Sequence, residues 1–183
     1  MKKIYTLSIL FFLTACASSN LHLTDPQAAR DGVKCTYDDF AKTTTCRAPF
    51  VREEDKGILG TGLAKTTWSM QLAAITEDNK PTRLGIAGSV TSPALFFADR
   101  AIDNDGVRLP VIRGDSRVLF CNPRGGGCTH DESFVIEISK AWLTKHADKG
   151  IAVKVYGKGQ TVVYNLPPAY IQGFLKFLEQ KGR

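Results

Sequence analysis

The dominant period of the chain is two. In TWSMQLAAI, Trp68, Met70, Leu72 and Ala74 fall on one side, with Thr67, Ser69 and Gln71 on the other. SFVIEIS sets Phe134, Ile136 and Ile138 against Val135 and Glu137. IAVKVY sets Ile151, Val153 and Val155 against Lys154, and TVVYNL sets Val162, Tyr164 and Leu166 against Asn165. Alternation of this kind belongs to half-buried strands with one wet face. Further strands are predicted at 33–37, 43–48, 83–90, 95–102, 107–112 and 117–121.

Tight turns separate these segments. DNDG (Asp103 to Gly106) and GKGQ (Gly157 to Gln160) each place a glycine where a hairpin needs a positive φ. No long helix alternates with the strands, which argues against a parallel α/β sheet. The pattern predicts a mainly β fold: an antiparallel β-sandwich or barrel-like domain with a short helix near 139–148 and a C-terminal amphipathic helix. The short helix starts at Ser139 as N-cap and stops at Gly150. The last starts after Pro167-Pro168 and carries Tyr170, Ile171, Phe174, Leu175, Phe177 and Leu178 as a broad apolar stripe. It is expected to close one end of the sandwich or to cover a sheet edge. Gly173 inside it costs ~1 kcal/mol relative to Ala, so a close contact is expected there. Trp68, Phe96, Phe97 and Phe120 fit strand cores better than a ligand cleft; Phe96 and Phe97 fall on opposite faces, so one of them is expected under the terminal helix or exposed at a partner surface.

The N-terminus departs from this pattern. MKKIYTLSILFFLTAC has basic Lys2 and Lys3, then an apolar run from Ile4 to Leu13 broken by Thr6 and Ser8. About ten residues are too few for a spanning helix, which needs ~20; they suit a secretory signal. Leu13-Thr14-Ala15-Cys16 resembles the lipobox of bacterial lipoproteins. That resemblance implies cleavage before Cys16, diacylglycerol on its sulfur and membrane anchoring through two or more acyl chains. Residue 17 is Ala rather than the Asp that commonly retains such proteins in the inner membrane, so the resemblance points to the outer membrane, facing the periplasm. ASSNLHLTDPQAARDG follows and is rich in turn formers. The organisation expected is a signal peptide over 1–15, a lipidated N-terminus and flexible tether over 16–31, and a single disulfide-stapled β domain over 32–183.

Charge and cysteines refine the picture. The full chain has 24 Lys and Arg against 18 Asp and Glu; without residues 1–15 it has 22 against 18, a formal net charge of +4. The charges are dispersed, which gives nucleic-acid binding no support and leaves attraction to an envelope protein, lipopolysaccharide or glycan. With Cys16 assigned to lipid, Cys35, Cys46, Cys121 and Cys128 remain, an even number that reads as two disulfides in an exported chain. The local pairs Cys35–Cys46 and Cys121–Cys128 are favoured. A hairpin turn centred on Phe40-Ala41 sets the first pair opposite each other, and CNPRGGGC lets the chain double back for the second. Neither stretch has a second CxxC or a His pair, so zinc fits poorly.

Candidate chemistry is sparse, and no cofactor is implied. GTGLAKTT (Gly60 to Thr67) lacks the Gly before Lys65 that a phosphate loop requires. DNDG fails as a calcium loop, because Ala101 and Ile112 stand where carboxylates belong. CTHDES gathers His130, Asp131, Glu132 and Ser133, but adjacent strand residues alternate in direction, and only His130 and Glu132 share a face. His146 beside Trp142 reads as a packed or surface histidine, and His22 falls in the tether. Arg124, Gly125, Gly126 and Gly127 offer an anion-binding nest. The function expected is a lipid-anchored envelope protein acting as a non-enzymatic binding or structural module. The alternative is a periplasmic hydrolase of cell-wall or lipid ester bonds using His130, Glu132 and Ser133.

Overall fold

The computed structural model describes residues 20–54, 66–77, 82–123 and 127–181. The larger of two sheets contains β1 (Lys34–Asp38), β2 (Thr43–Arg47), β3 (Val51–Glu54), β4 (Thr67–Glu77), β5 (Arg83–Ser92), β8 (Val111–Cys121) and β9 (Cys128–Ile138). Their order is β1-β2-β4-β5-β9-β8, with β3 also paired to β4. The smaller sheet runs β11 (Gln160–Leu166), β10 (Ile151–Gly157), β6 (Arg100–Asp103), β7 (Arg108–Leu109). Every pairing is antiparallel. The two open sheets make a sandwich-like fold and not a closed barrel.

The period-two pattern locates the core. Met70, Leu72, Ala74, Ile86, Val90, Phe134 and Ile136 of the larger sheet cluster with Val153, Val155, Val162, Tyr164 and Leu166 of the smaller. Each fully buried side chain of this size contributes roughly 1.5–3 kcal/mol relative to its exposed state. Two polar links cross the layers: Trp68 Nε1 donates to the Val163 carbonyl at 2.8 Å, and Tyr164 Oη donates to the Ser89 carbonyl at 3.2 Å. Phe96 is buried in the core, Trp68 packs at its margin and Phe97 is exposed, as opposite faces allow, whereas Phe120 is exposed against the expectation for it.

The helices explain how the rest of the sheet is covered. Helix α2 (Lys140–His146) begins at Ser139, whose side chain accepts from the Trp142 amide at 3.0 Å. Helix α3 (Pro168–Lys181) buries Tyr170, Ile171, Phe174 and Leu175. It lies over the core side of β2 and β4, where Tyr170 reaches Leu72 and Lys181 reaches Cys46. It thus covers a sheet face, where an edge or an end was expected.

The segment read as a tether is ordered from Asn20. A 3-10 turn (Asn20–Leu23) leads into α1 (Pro26–Asp31), which Asp25 caps by accepting from the Gln27 amide. Helix α1 packs on α3 at Gly173: a Cβ there would run into the Pro26 carbonyl and lie 2.5 Å from Ala29 Cβ. The sequence reason is Ala29, a small residue buried at the crossing, with Gly173 opposite it. The close contact expected at Gly173 is therefore with a helix that the turn formers concealed.

Three strand boundaries also differ. Residues 93–99, expected to be extended into 95–102, form an irregular strap from β5 to β6, and Phe97 takes a φ of +52°. The strands expected at 107–112 and 117–121 divide instead at Pro110, into β7 and a long β8 whose register shifts between Arg113 and Ser116. Strand β3 was not foreseen. The DNDG and GKGQ turns do join β6 to β7 and β10 to β11, with Gly106 at φ +82° and Gly159 at +75°.

Candidate functional site

The four cysteines among the described residues pair locally. Cys35 faces Cys46 across β1 and β2, and Cys121 faces Cys128 across β8 and β9, both at disulfide distance. One bridge therefore ties each outer hairpin of the larger sheet. Cys16, the phosphate-loop stretch from Gly60 to Lys65, and Arg124, Gly125 and Gly126 lie outside the described residues. Gly127 has a φ of +83°, and its carbonyl accepts from the Asn122 amide at 2.9 Å, closing the turn between β8 and β9.

The residues of CTHDES do not converge. Glu132 is buried and accepts from the Phe96 amide and, at 2.8 Å, from the Phe97 amide. It satisfies backbone donors of the strap that have no ladder partner. Ser133 points to the other face and donates to the Asp115 carbonyl at 3.2 Å. Asp131 accepts from Thr91 Oγ1 at 3.1 Å and pairs with Arg117 at 2.9 Å. His130 stands across from Val118 in the ladder. His146 is buried with its ring 4.9 Å from that of Trp142, and His22 Nε2 donates to the Phe50 carbonyl at 3.2 Å. Among the described residues no three His, Cys, Asp or Glu side chains gather as a metal site.

The concave feature lies elsewhere, on the face of the larger sheet turned away from the core. A groove of about 950 Å³ crosses its strands, near the upper end of the usual range for ligand pockets. The floor follows the ladder: Gln71 stands opposite Ala87, Ala87 opposite Val135, and Ser133 packs against Gly114 on the bulged β8. Those on β4, β5 and β9 are odd residues of strands whose even residues fill the core. Ala87, Ser133 and Gly114 are small, so the sheet can hollow outward there without a covering element. Gly114 contributes directly, since a Cβ there would lie 2.5 Å from Ser133 Oγ.

The groove is asymmetric in charge. At one end Arg117 is neutralised by Asp131, whose side chain is only 18 % exposed. At the other end Lys34 and Arg47 stand opposite each other on β1 and β2, and among the described residues neither has an ion-pair partner. Exposed Phe50 borders the same end. Between the two ends Gln71 is 8 % exposed, and its carboxamide makes no hydrogen bond among the described residues. The Gln71 carboxamide therefore presents a donor and an acceptor to whatever fills the groove.

Sequence reading missed this site because it treats the odd positions of each strand as a wet face. The available signal was size: Ala73, Gly85, Ala87, Ser89 and Ser133 are all small where an exposed antiparallel face normally carries long polar chains.

The fold and groove define a β-sandwich-like protein with an open cleft across its larger sheet and unpaired cations at one end of it. In comparisons with known proteins, no family model, curated protein or solved structure matches the chain.

Proposed function

We propose that this is a lipid-anchored, non-enzymatic binding module of the bacterial outer membrane whose groove takes an extended acidic segment of another envelope protein. The observation that carries the reading is the unpartnered Gln71 carboxamide beside unpaired Lys34 and Arg47. A carboxamide offers a donor and an acceptor side by side, which matches a peptide group. Unpaired cations at one end favour a negatively charged occupant. The groove crosses six strands, which at ~4.8 Å spacing is ~24 Å, the length of about seven extended residues.

Anchoring fits the same picture. With Cys16 acylated, the four residue steps to Asn20 span at most ~14 Å. The body then rides close to the bilayer, where partners embedded in or attached to the same membrane are within reach. The two disulfides suit an exported chain. Binding is favoured over hydrolysis because Glu132 and Ser133 are engaged by backbone groups on opposite faces of β9.

The test is a fluorescence titration with an acidic peptide of about seven residues and its lysine counterpart. The acidic peptide binds the protein, more weakly as salt rises, and loses affinity when Lys34→Glu and Arg47→Glu are combined. Equal binding of both peptides, or no effect of the charge reversal, contradicts the reading. Binding to anionic vesicles or to envelope polysaccharide in place of the peptide, lost on the same reversal, reassigns the occupant.

A further inference from the structure

The two bridges have different surroundings. Cys46 is 2 % exposed and belongs to the core side of β2. Its partner Cys35 lies on β1, the edge strand, and every residue of that strand is exposed. The bridge therefore joins a solvent-exposed residue to one kept inside. From the last turn of α3, Lys181 places its Nζ 3.0 Å from Cys46 Sγ and 3.9 Å from Cys35 Sγ. Among the described residues no ammonium or guanidinium makes a comparable contact with the Cys121–Cys128 bridge.

A neutral disulfide sulfur is a weak acceptor and gains little from an ammonium. A thiolate at the same place gains a charge-assisted partner. The Lys181 position thus favours the opened bridge over the closed one, and it favours Cys46 as the sulfur that carries the charge. In thiol–disulfide exchange, a leaving thiol with a lower pKa departs faster.

We propose that Cys35–Cys46 is a site of thiol–disulfide exchange for a dithiol oxidoreductase of the cell envelope, with Cys35 Sγ attacked and Cys46 leaving. A thiolate of the donor forms a bond to Cys35 Sγ as the Cys35–Cys46 bond breaks, and the electron pair goes to Cys46, held by the Lys181 ammonium. The donor's second thiol, losing its proton to solvent, then attacks the donor sulfur of the mixed disulfide and releases Cys35 as a thiolate that takes up a proton. The donor is oxidised to its disulfide and this protein gains two electrons. The β1–β2 hairpin also carries Lys34 and Arg47, so exchange there loosens the cationic end of the groove and leaves the floor on β4, β5 and β9 in place. The exchange itself does not depend on what the groove binds.

The experiment follows bridge opening in the oxidised full-length protein, held in detergent, by timed alkylation and peptide mass mapping. Dithiothreitol is the reductant for rates, and glutathione is used to trap the mixed disulfide. Cys35 and Cys46 become alkylated before Cys121 and Cys128, and the glutathione adduct sits on Cys35. Lys181→Gln slows that opening about three- to fivefold, the size expected for loss of one partly exposed charge pair, while Lys181→Arg stays close to wild type. In about 1 M salt, where the screening length is ~3 Å, the wild-type advantage shrinks. Opening of Cys121–Cys128 is unchanged in Lys181→Gln, which reports that the fold is intact. The proposal is overturned by an adduct on Cys46, by prior opening of Cys121–Cys128, or by a Lys181→Gln rate equal to wild type.

Discussion

Leu72 sits where β4 loses its neighbour, between the stretch paired with β2 and the stretch paired with β3. Its backbone needs are met from outside the ladder: the Ala48 amide donates to its carbonyl at 2.9 Å, and its own amide donates to Tyr170 Oη at 3.1 Å. Tyr170 Oη in turn donates to the Pro49 carbonyl at 2.7 Å. Tyr170→Phe strands a buried amide, which costs ~1–3 kcal/mol, measured as a shift in the urea midpoint with an unchanged slope. Burial also pushes the phenols of Tyr170 and Tyr164 above the usual tyrosine range. A folded pKa above the unfolded one gives stability that is complete below pH ~10 and is lost as pH rises beyond it. Tyr170→Phe therefore flattens the alkaline limb of a stability–pH curve, and an identical limb in the variant would count against this account. Glu132 works in the same residue-by-residue manner. Glu132→Gln loses one acceptor for the two strap amides and is expected to destabilise by ~1–3 kcal/mol, read by thermal unfolding.

At the scale of elements, the period of two gave the strands and their core faces, because burial of alternate side chains is what makes the pattern. It located the β1–β2 and β10–β11 hairpins and both bridges, since turn chemistry and cysteine spacing are local. It did not reveal the strap at 93–99, whose shape depends on Glu132 from a strand 35 residues later in the chain. Nor did it reveal α1, where six residues opening with Pro26 have too little apolar character to read as a helix alone. Helix α1 is held by α3 at Gly173, and the gap there is a backbone-to-backbone approach. Gly173→Ala gains about 1 kcal/mol of helix propensity but meets the Pro26 carbonyl and Ala29. The net effect expected is a loss of ~1–2 kcal/mol, with the amides of residues 27–31 exchanging faster with deuterium. A stabilised Gly173→Ala protein would show that α1 is free to move away.

For the whole molecule, the two bridges sit in the outer hairpins of one sheet, and the groove runs between them. The groove was illegible in sequence because it exists only when small residues on β4, β5, β8 and β9 become neighbours. Its cationic end lies in the β1–β2 hairpin, and the adjacent Phe50 carbonyl is contacted by His22, only two residues after Asn20. The start of the described chain and the groove's cationic end thus lie together. The account stands on that face being a protein-binding surface in the envelope, and a photo-crosslinking amino acid placed in intact cells at Thr36, which lines the groove, tests it most directly, with Thr161 on β11 as the control. The result predicted is a discrete protein adduct from position 36 that disappears when Lys34→Glu and Arg47→Glu are added, with none from position 161. An adduct that survives the charge reversal, or crosslinks from position 161 alone, would contradict it.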